Sequence, residues 1–311
     1  MKLDVHAHFV PDGYRAALQR TGHDHPDGMP AIPEWSAATH IEVMDRLGIA
    51  ASLLSISSPG VHLGDGTTTG ALAREVNEAG RRAVVDYPSR FGLLASLPLP
   101  DVDAAMAEIA HCCARLDVDG FVLLTNIGGT YVSDPSFEPV WRELDRRNAR
   151  VLLHPTSPAC WEETSFGRPR PMLEFFFDTT RVVVDLVLNG TVARSPDLEL
   201  IVPHAGATLP LLADRVSAFA RLLAPDVDVL RDIGRLQFDL AGFAIPRQLD
   251  ALMTLTTRDH LHYGSDFPFT PEPVVALAAQ RIDEADALSH DLGSNTARLF
   301  PALVQRLEGQ R

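Results

Sequence analysis

Eight short apolar runs, each separated from the next by enough chain for a helix, dominate this sequence. They are "KLDVHAHF", "IAASLLSI", "FGLLASLPL", "VDGFVLLT", "RVLLHP", "LELIVPHAG", "RLQFDLAG" and "LHYGSDFP". Parallel strands need a crossover of a dozen or more residues, usually helical, and eight strand-then-helix units in a row predict a closed parallel barrel of the α/β class. The crossovers read as helices. "GALAREVNEAGRRAVVDYP" and "FFFDTTRVVVDLVLNGTVARSP" have helical apolar spacing and end near proline; "DPSFEPVWRELDRRN" opens on an aspartate that can cap it; "PDVDAAMAEIAHCCARL" fills the third crossover. A doubly wound open sheet is the competing fold, but no Gly-x-Gly-x-x-Gly follows the first run. The expectation is therefore a (β/α)8 TIM barrel over one domain, residues 1–311. The stretch from about Val10 to Pro33, rich in Gly, Pro and His, reads as a small insertion after strand 1 near the barrel mouth.

Barrel chemistry sits at the carboxyl ends of the strands. There the sequence places His6 and His8 (first run), His154 (fifth), His204 (sixth) and Asp266 (eighth). Residues i and i+2 of a strand share a face, so His6 and His8 are expected to look toward one point. Three imidazoles and a carboxylate can hold a divalent ion with an open position for water or substrate oxygen, which makes His6, His8, His154 and Asp266 the expected ligands. His204 remains as the general acid/base; the rival assignment makes it the ligand of a second metal.

Composition decides between one metal and two. Lys2 is the sole lysine in the chain, so the fourth run, "FVLLTN", offers Thr125 where a two-metal barrel hydrolase usually carries a bridging carbamylated lysine. A mononuclear site is the expectation, with a second metal held by water or Asp266 as the alternative. The formal charge of −14 argues against nucleic acid and anionic membranes as partners, because phosphate binding relies on clustered cations. No uninterrupted apolar run reaches about 18 residues. Cys112, Cys113 and Cys160 form neither a paired framework nor a Cys-x-x-Cys site, which suits a reducing, cytoplasmic location.

"DVHAHF", "HPT", "PHAG", "YGSDFPFT" and "LGSNTARLF" together resemble the amidohydrolase superfamily, specifically the aminocarboxymuconate-semialdehyde decarboxylase-like amidohydrolase-related family two, over essentially the whole chain. The segment "FFFDTTRVVVDLVLNGTVARSPDLELIVPHAGATLPLLADRV" is similar to the 6-methylsalicylate decarboxylases. The resemblance implies one divalent metal per chain, Zn²⁺ in most members and Mn²⁺ in some, no organic cofactor, and a homodimer or dimer-based tetramer. It implies metal binding by His6, His8, His154 and Asp266, with His204 catalytic; some members carry glutamate in place of the first histidine. Arg215 falls where semialdehyde decarboxylases use a neighbouring subunit's arginine on a substrate carboxylate, whereas Arg46 lies out of register with the family's other substrate arginine.

The expected reaction is non-oxidative decarboxylation of a small aromatic carboxylic acid, an ortho-hydroxybenzoate of the salicylate type, with Asp266 or a water managed by His204 delivering the proton. Trp161, Phe175 and Phe267 are the candidates for packing the ring. The alternative is hydrolysis of a lactone or amide, or hydration, on the same mononuclear site.

Overall fold

Eight parallel strands form a nearly closed barrel with helices between them. The computed structural model describes residues 1–64 and 66–309; Asp65, Gln310 and Arg311, which the expected 1–311 domain includes, lie outside the described residues. The strands are β1 (Lys2–His8), β2 (Ile49–Ser55), β3 (Phe91–Ser96), β4 (Gly120–Leu124), β5 (Arg150–His154), β6 (Glu199–Val202), β7 (Gln237–Asp239) and β8 (Leu261–His262), hydrogen-bonded in that order. A bridge between Asp4 and Tyr263, with Val5 N donating to Tyr263 O at 2.9 Å, joins the last strand to the first. All eight apolar runs of the sequence contain one of these strands.

Two apolar layers follow from strand alternation. Leu3, Val5, Ala51, Leu53, Leu94, Val122, Leu152 and Ile201 fill the barrel interior, and the residues between them pack outward against the helices. Leu299, Phe300 and Leu303, where the chain passes into its C-terminal helix (Pro301–Glu308), close the floor of this inner core. Phe300 is 2% exposed. Phe300→Ala is expected to cost about 3–5 kcal/mol of stability, read from urea unfolding, because the floor cannot collapse into the void. A loss under about 1 kcal/mol would show that Phe300 does not seal the core.

The register between β1 and β2 shifts between Lys2 and Leu3 and again between Asp4 and Ala7, and the second shift matters. In β1, Leu3 and Val5 point inward, so His6 and His8 would point out into the helix layer if the pleat were regular. The pairing instead shifts between Asp4, opposite Ser52, and Ala7, opposite Leu54: three steps on β1 match two on β2. This bulge turns the strand so that both imidazoles follow Val5 onto the inner face.

The segment after β1 is more ordered than its composition suggests. It contains helix α1 (Asp12–Arg20), which buries Tyr14, Ala17 and Leu18 at helical spacing and ties Tyr14 Oη to Gly60 O at 2.9 Å. A tight turn over Pro26–Gly28 follows, with Asp27 at φ 53°. Helix α2 (Ala37–Leu47) then opens on Ser36, whose hydroxyl accepts from Thr39 N, and stops at Gly48, whose φ of 67° suits a residue without Cβ. Among the described residues no helix is long and apolar enough to cross a membrane.

Candidate metal centre

His6, His8, His154 and Asp266 come together at the carboxyl end of the barrel, with one potential ligand atom from each lying within 4.8 Å of all the others. His6 Nε2 and His8 Nε2 are 3.1 Å apart, His8 Nε2 and Asp266 Oδ1 3.1 Å, and His6 Nε2 and Asp266 Oδ1 3.6 Å. Ligands about 2.1 Å from a tetrahedral ion are about 3.4 Å from one another, so the set fits a single divalent cation.

The other ring nitrogen of each histidine is already engaged. His6 Nδ1 donates to Asp239 Oδ2 at 2.9 Å, His8 Nδ1 reaches Ser55 Oγ at 3.0 Å, and His154 Nδ1 donates to Pro155 O at 2.7 Å. Such bonds fix the tautomer and leave Nε2 to act as the ligand atom. The three histidines are at most 2% exposed.

Burial lowers the proton affinity of His8, His154 and His204, keeping them neutral as ligands or bases must be. Burial is the largest single influence on His6 and opposes its charge, but the carboxylates of Asp239, Asp266 and Asp4 together outweigh it and lift the imidazole to about 9. A proton on His6 Nε2 and a cation there are alternatives, so acid competes with metal. Burial pushes the Asp266 carboxyl upward, yet the hydrogen bond from His8 and the surrounding imidazoles hold it below the usual carboxylate range.

Two of the five polar residues sit on unusual backbone. His204 (φ 55°) and Asp266 (φ 58°) are non-glycine residues in the left-handed region. Such conformations cost about 1–3 kcal/mol and persist where neighbours hold them. His204 N donates to Asp239 Oδ1 at 3.0 Å, Asp266 N to His6 O at 2.7 Å, and Thr270 Oγ1 to Asp266 Oδ2 at 2.7 Å. Phe176 stacks on the His204 ring at 5.4 Å.

Asp239, at the end of β7, thus orients both His6 and the His204 backbone. It ends β7 inside the run "RLQFDLAG" and is a polar strand-end residue like the other five, so the same reasoning applied to β7 finds it. Asp239→Asn is expected to weaken metal binding by about 10- to 100-fold, measured by competition with a chromophoric chelator. Unchanged affinity would remove Asp239 from the metal's support.

A cavity of about 310 Å³ opens beside the cluster, lined by His154, His204 and Asp266 and by Met29, Phe175, Phe176 and Phe269. Phe175 therefore lies where a ring could pack. The other residues singled out from sequence lie elsewhere. Phe267 turns away and packs its ring 5.0 Å from His40, leaving Phe269, 5.6 Å from His8, as the aromatic wall. Trp161 lines a neighbouring cavity. Arg215 is exposed on the helix Leu209–Leu223 with its guanidinium over Phe219, and Arg46 pairs with Glu272 at 2.7 Å. Thr125 is buried and hydrogen-bonded to Asp178, which also takes bonds from Asn126 and Tyr131. Among the described residues no arginine or lysine lines the metal cavity.

The family model described as amidohydrolase matches residues 3–302. The 6-methylsalicylic acid decarboxylase of Penicillium expansum is 33% identical, covering 97% of this chain and 97% of its own. A solved structure described as an amidohydrolase II is 34% identical, with a TM-score of 0.93 over 97% of this chain and all of that one. A dihydroxybenzoic acid decarboxylase from Polaromonas sp. JS666, solved with manganese and the inhibitor 2-nitroresorcinol, shares the fold at 20% identity, with a TM-score of 0.81 and 96% of each chain covered.

Proposed function

The chain belongs to the amidohydrolase family, and on that premise we propose that it is a metal-dependent, non-oxidative decarboxylase of ortho-hydroxybenzoic acids such as 6-methylsalicylate. The observation that carries the reading is the convergence of three imidazoles with engaged Nδ1 atoms and one carboxylate beside an aromatic-walled cavity that no arginine or lysine lines among the described residues. A substrate carboxylate there would have the metal as its positive anchor. His6, His8, His154 and Asp266 hold the ion; Zn²⁺ and Mn²⁺ both suit the donor set, and manganese is bound in the Polaromonas relative.

When bound, the ion supplies Lewis-acid stabilisation of the carboxylate and the adjacent phenolate. The protein does the rest. Phe175, Phe176 and Phe269 hold the ring and exclude water, which fixes the scissile bond relative to Asp266 and His204. The ring carbon gains one proton, the bond to the carboxylate breaks with its electron pair returning to the ring, and CO2 leaves. A water held by His204, or Asp266 once His204 has passed it the phenol proton, hands over that proton. His204, kept neutral by burial, is suited to accept the phenol proton first.

Incubation of the metal-loaded protein with 6-methylsalicylate, 2,6-dihydroxybenzoate and a pyrone lactone tests this. CO2 release matching ultraviolet loss for a hydroxybenzoate is the expected result; loss of absorbance from the lactone alone would turn the reading to hydrolysis, which the relatives do not favour. Two metal equivalents per chain would overturn the mononuclear assignment.

The finer setting is also a proposal. The three cysteines are unpaired, in keeping with the cytoplasm. The helix Leu209–Leu223 exposes Leu211, Leu222 and Leu223 at 76–79%, and a homodimer that covers this face would carry Arg215 toward the partner's site. Leu222→Glu is expected to shift the species in sedimentation velocity from dimer to monomer.

A further inference from the structure

A second and larger cavity, about 640 Å³, lies over the ends of β2, β3 and β4. It contains none of the metal cluster's side chains and shares only Pro26 and Asp27 with the metal cavity. Its fixed charges balance, where those of the whole chain do not. In a chain of net −14, Asp27 is the single acid among the described residues that line it, facing Arg170, His23, His25 and His62.

Arg170 is held as a ligand-binding arginine would be. Its guanidinium stacks on Trp161, 4.1 Å from the ring centroid, and Nε donates to Ser157 Oγ at 3.0 Å, while Ser157 in turn donates to Asp27. The terminal nitrogens make no ion pair with any described residue. Gly28, at φ 74°, leaves the room they occupy: a Cβ there would stand 2.7 Å from Nη1. The fork is thus fixed at Nε and by stacking, with donors left over to bind a planar anion. Below it, Ile56, Val61, Leu97, Leu99, Val122 and Leu124 form an apolar floor.

We propose that this second cavity binds an aromatic monocarboxylate, with the carboxylate on Arg170 and the ring over the apolar floor. Cavities of this size, largely apolar with a few fixed polar groups, are the usual form of small-molecule sites. The guanidinium selects an anion, and one guanidinium with a single opposing acid selects one carboxylate rather than two. The site needs no metal, so its occupancy is independent of the decarboxylation reading.

Calorimetric titration of the full chain, both metal-loaded and after chelation so that the metal centre cannot anchor a carboxylate, with 2-naphthoate and with 2-naphthamide as its uncharged counterpart, tests the assignment. Naphthoate is expected to bind the wild type and Asp266→Asn alike, to bind Arg170→Gln about tenfold or more weakly, and to weaken as chloride rises. Arg170→Lys is expected to fall between wild type and Arg170→Gln. Ala159→Trp, a surface-side change that fills the cavity, blocks binding without touching Arg170 and keeps the test decisive if Arg170→Gln does not fold. Equal binding of naphthoate and naphthamide, undiminished binding to Arg170→Gln or to Ala159→Trp, loss of binding in Asp266→Asn, or no binding to the wild type at millimolar concentration each overturns the proposal.

Discussion

Asp266→Asn is expected to lower kcat by about 10²- to 10⁴-fold while leaving the protein folded. Asparagine keeps the shape and can still meet Thr270, which donates to Asp266 Oδ2. It removes the negative charge that faces His6 and His8, and with it the capacity to carry a proton. Metal content measured on the same sample separates two causes. Full metal with lost turnover assigns Asp266 to proton transfer, whereas lost metal assigns it chiefly to the ligand set. A variant that retained more than about a tenth of wild-type kcat would show that Asp266 does neither.

The second large effect is acid unfolding driven by histidines outside the ligand cluster. Burial lowers His40 and His262 each to about 3. Both act as neutral rings: His40 Nδ1 accepts from Trp35 Nε1 at 2.9 Å, and His262 lies 2.9 Å from both Thr296 Oγ1 and Gln237 Oε1. Between pH 6.5 and about 3 the unfolded chain binds a proton at each and the folded chain does not, so stability falls as pH falls. The slope is about 1.4 kcal/mol per pH unit for each histidine. Asp4, raised by burial to about 7, works the other way between pH 3.8 and 7, because the folded state holds its proton there and the unfolded state does not. His6, raised to about 9, adds no slope below 6.5, where both states are protonated. The lowered histidines, which include His8, His154 and His204, outnumber the raised carboxyls of Asp4, Asp119 and Asp178, so denaturant midpoints should drop below pH 6. His262→Gln should flatten the slope by about 1.4 kcal/mol per unit; an unchanged slope would mean that His262 is charged in the folded protein.

The strands and the meeting of His6, His8, His154, His204 and Asp266 were legible because barrel geometry turns a position in sequence, the end of an apolar run, into a position in space. The same rule covers Asp239, which ends its strand although "LAG" continues the run beyond it. The bulge in β1 was not legible: "KLDVHAHF" alternates without a gap, and only pairing with β2 shows that a regular pleat would have faced the histidines outward. Helix α1 was hidden because Tyr14, Ala17 and Leu18 are few among the glycines and prolines of that stretch. Phe267 and Trp161 show the limit for aromatic residues. Sequence places them near strand ends, but which cavity a ring enters depends on loop direction, which run-end position does not encode.

The closure of the barrel also bears on when the protein can become native during synthesis. Ser265 N donates to Asp4 Oδ1 across 261 positions, and Phe300 and Leu303 seal a core whose first members are Leu3 and Val5. A ribosome that has released the first four strands has therefore made the imidazoles of His6 and His8 but neither the carboxylate that faces them nor the floor beneath them. The growing chain must carry exposed strand edges until nearly all of it has emerged, which is the stage at which a chaperone would be most needed.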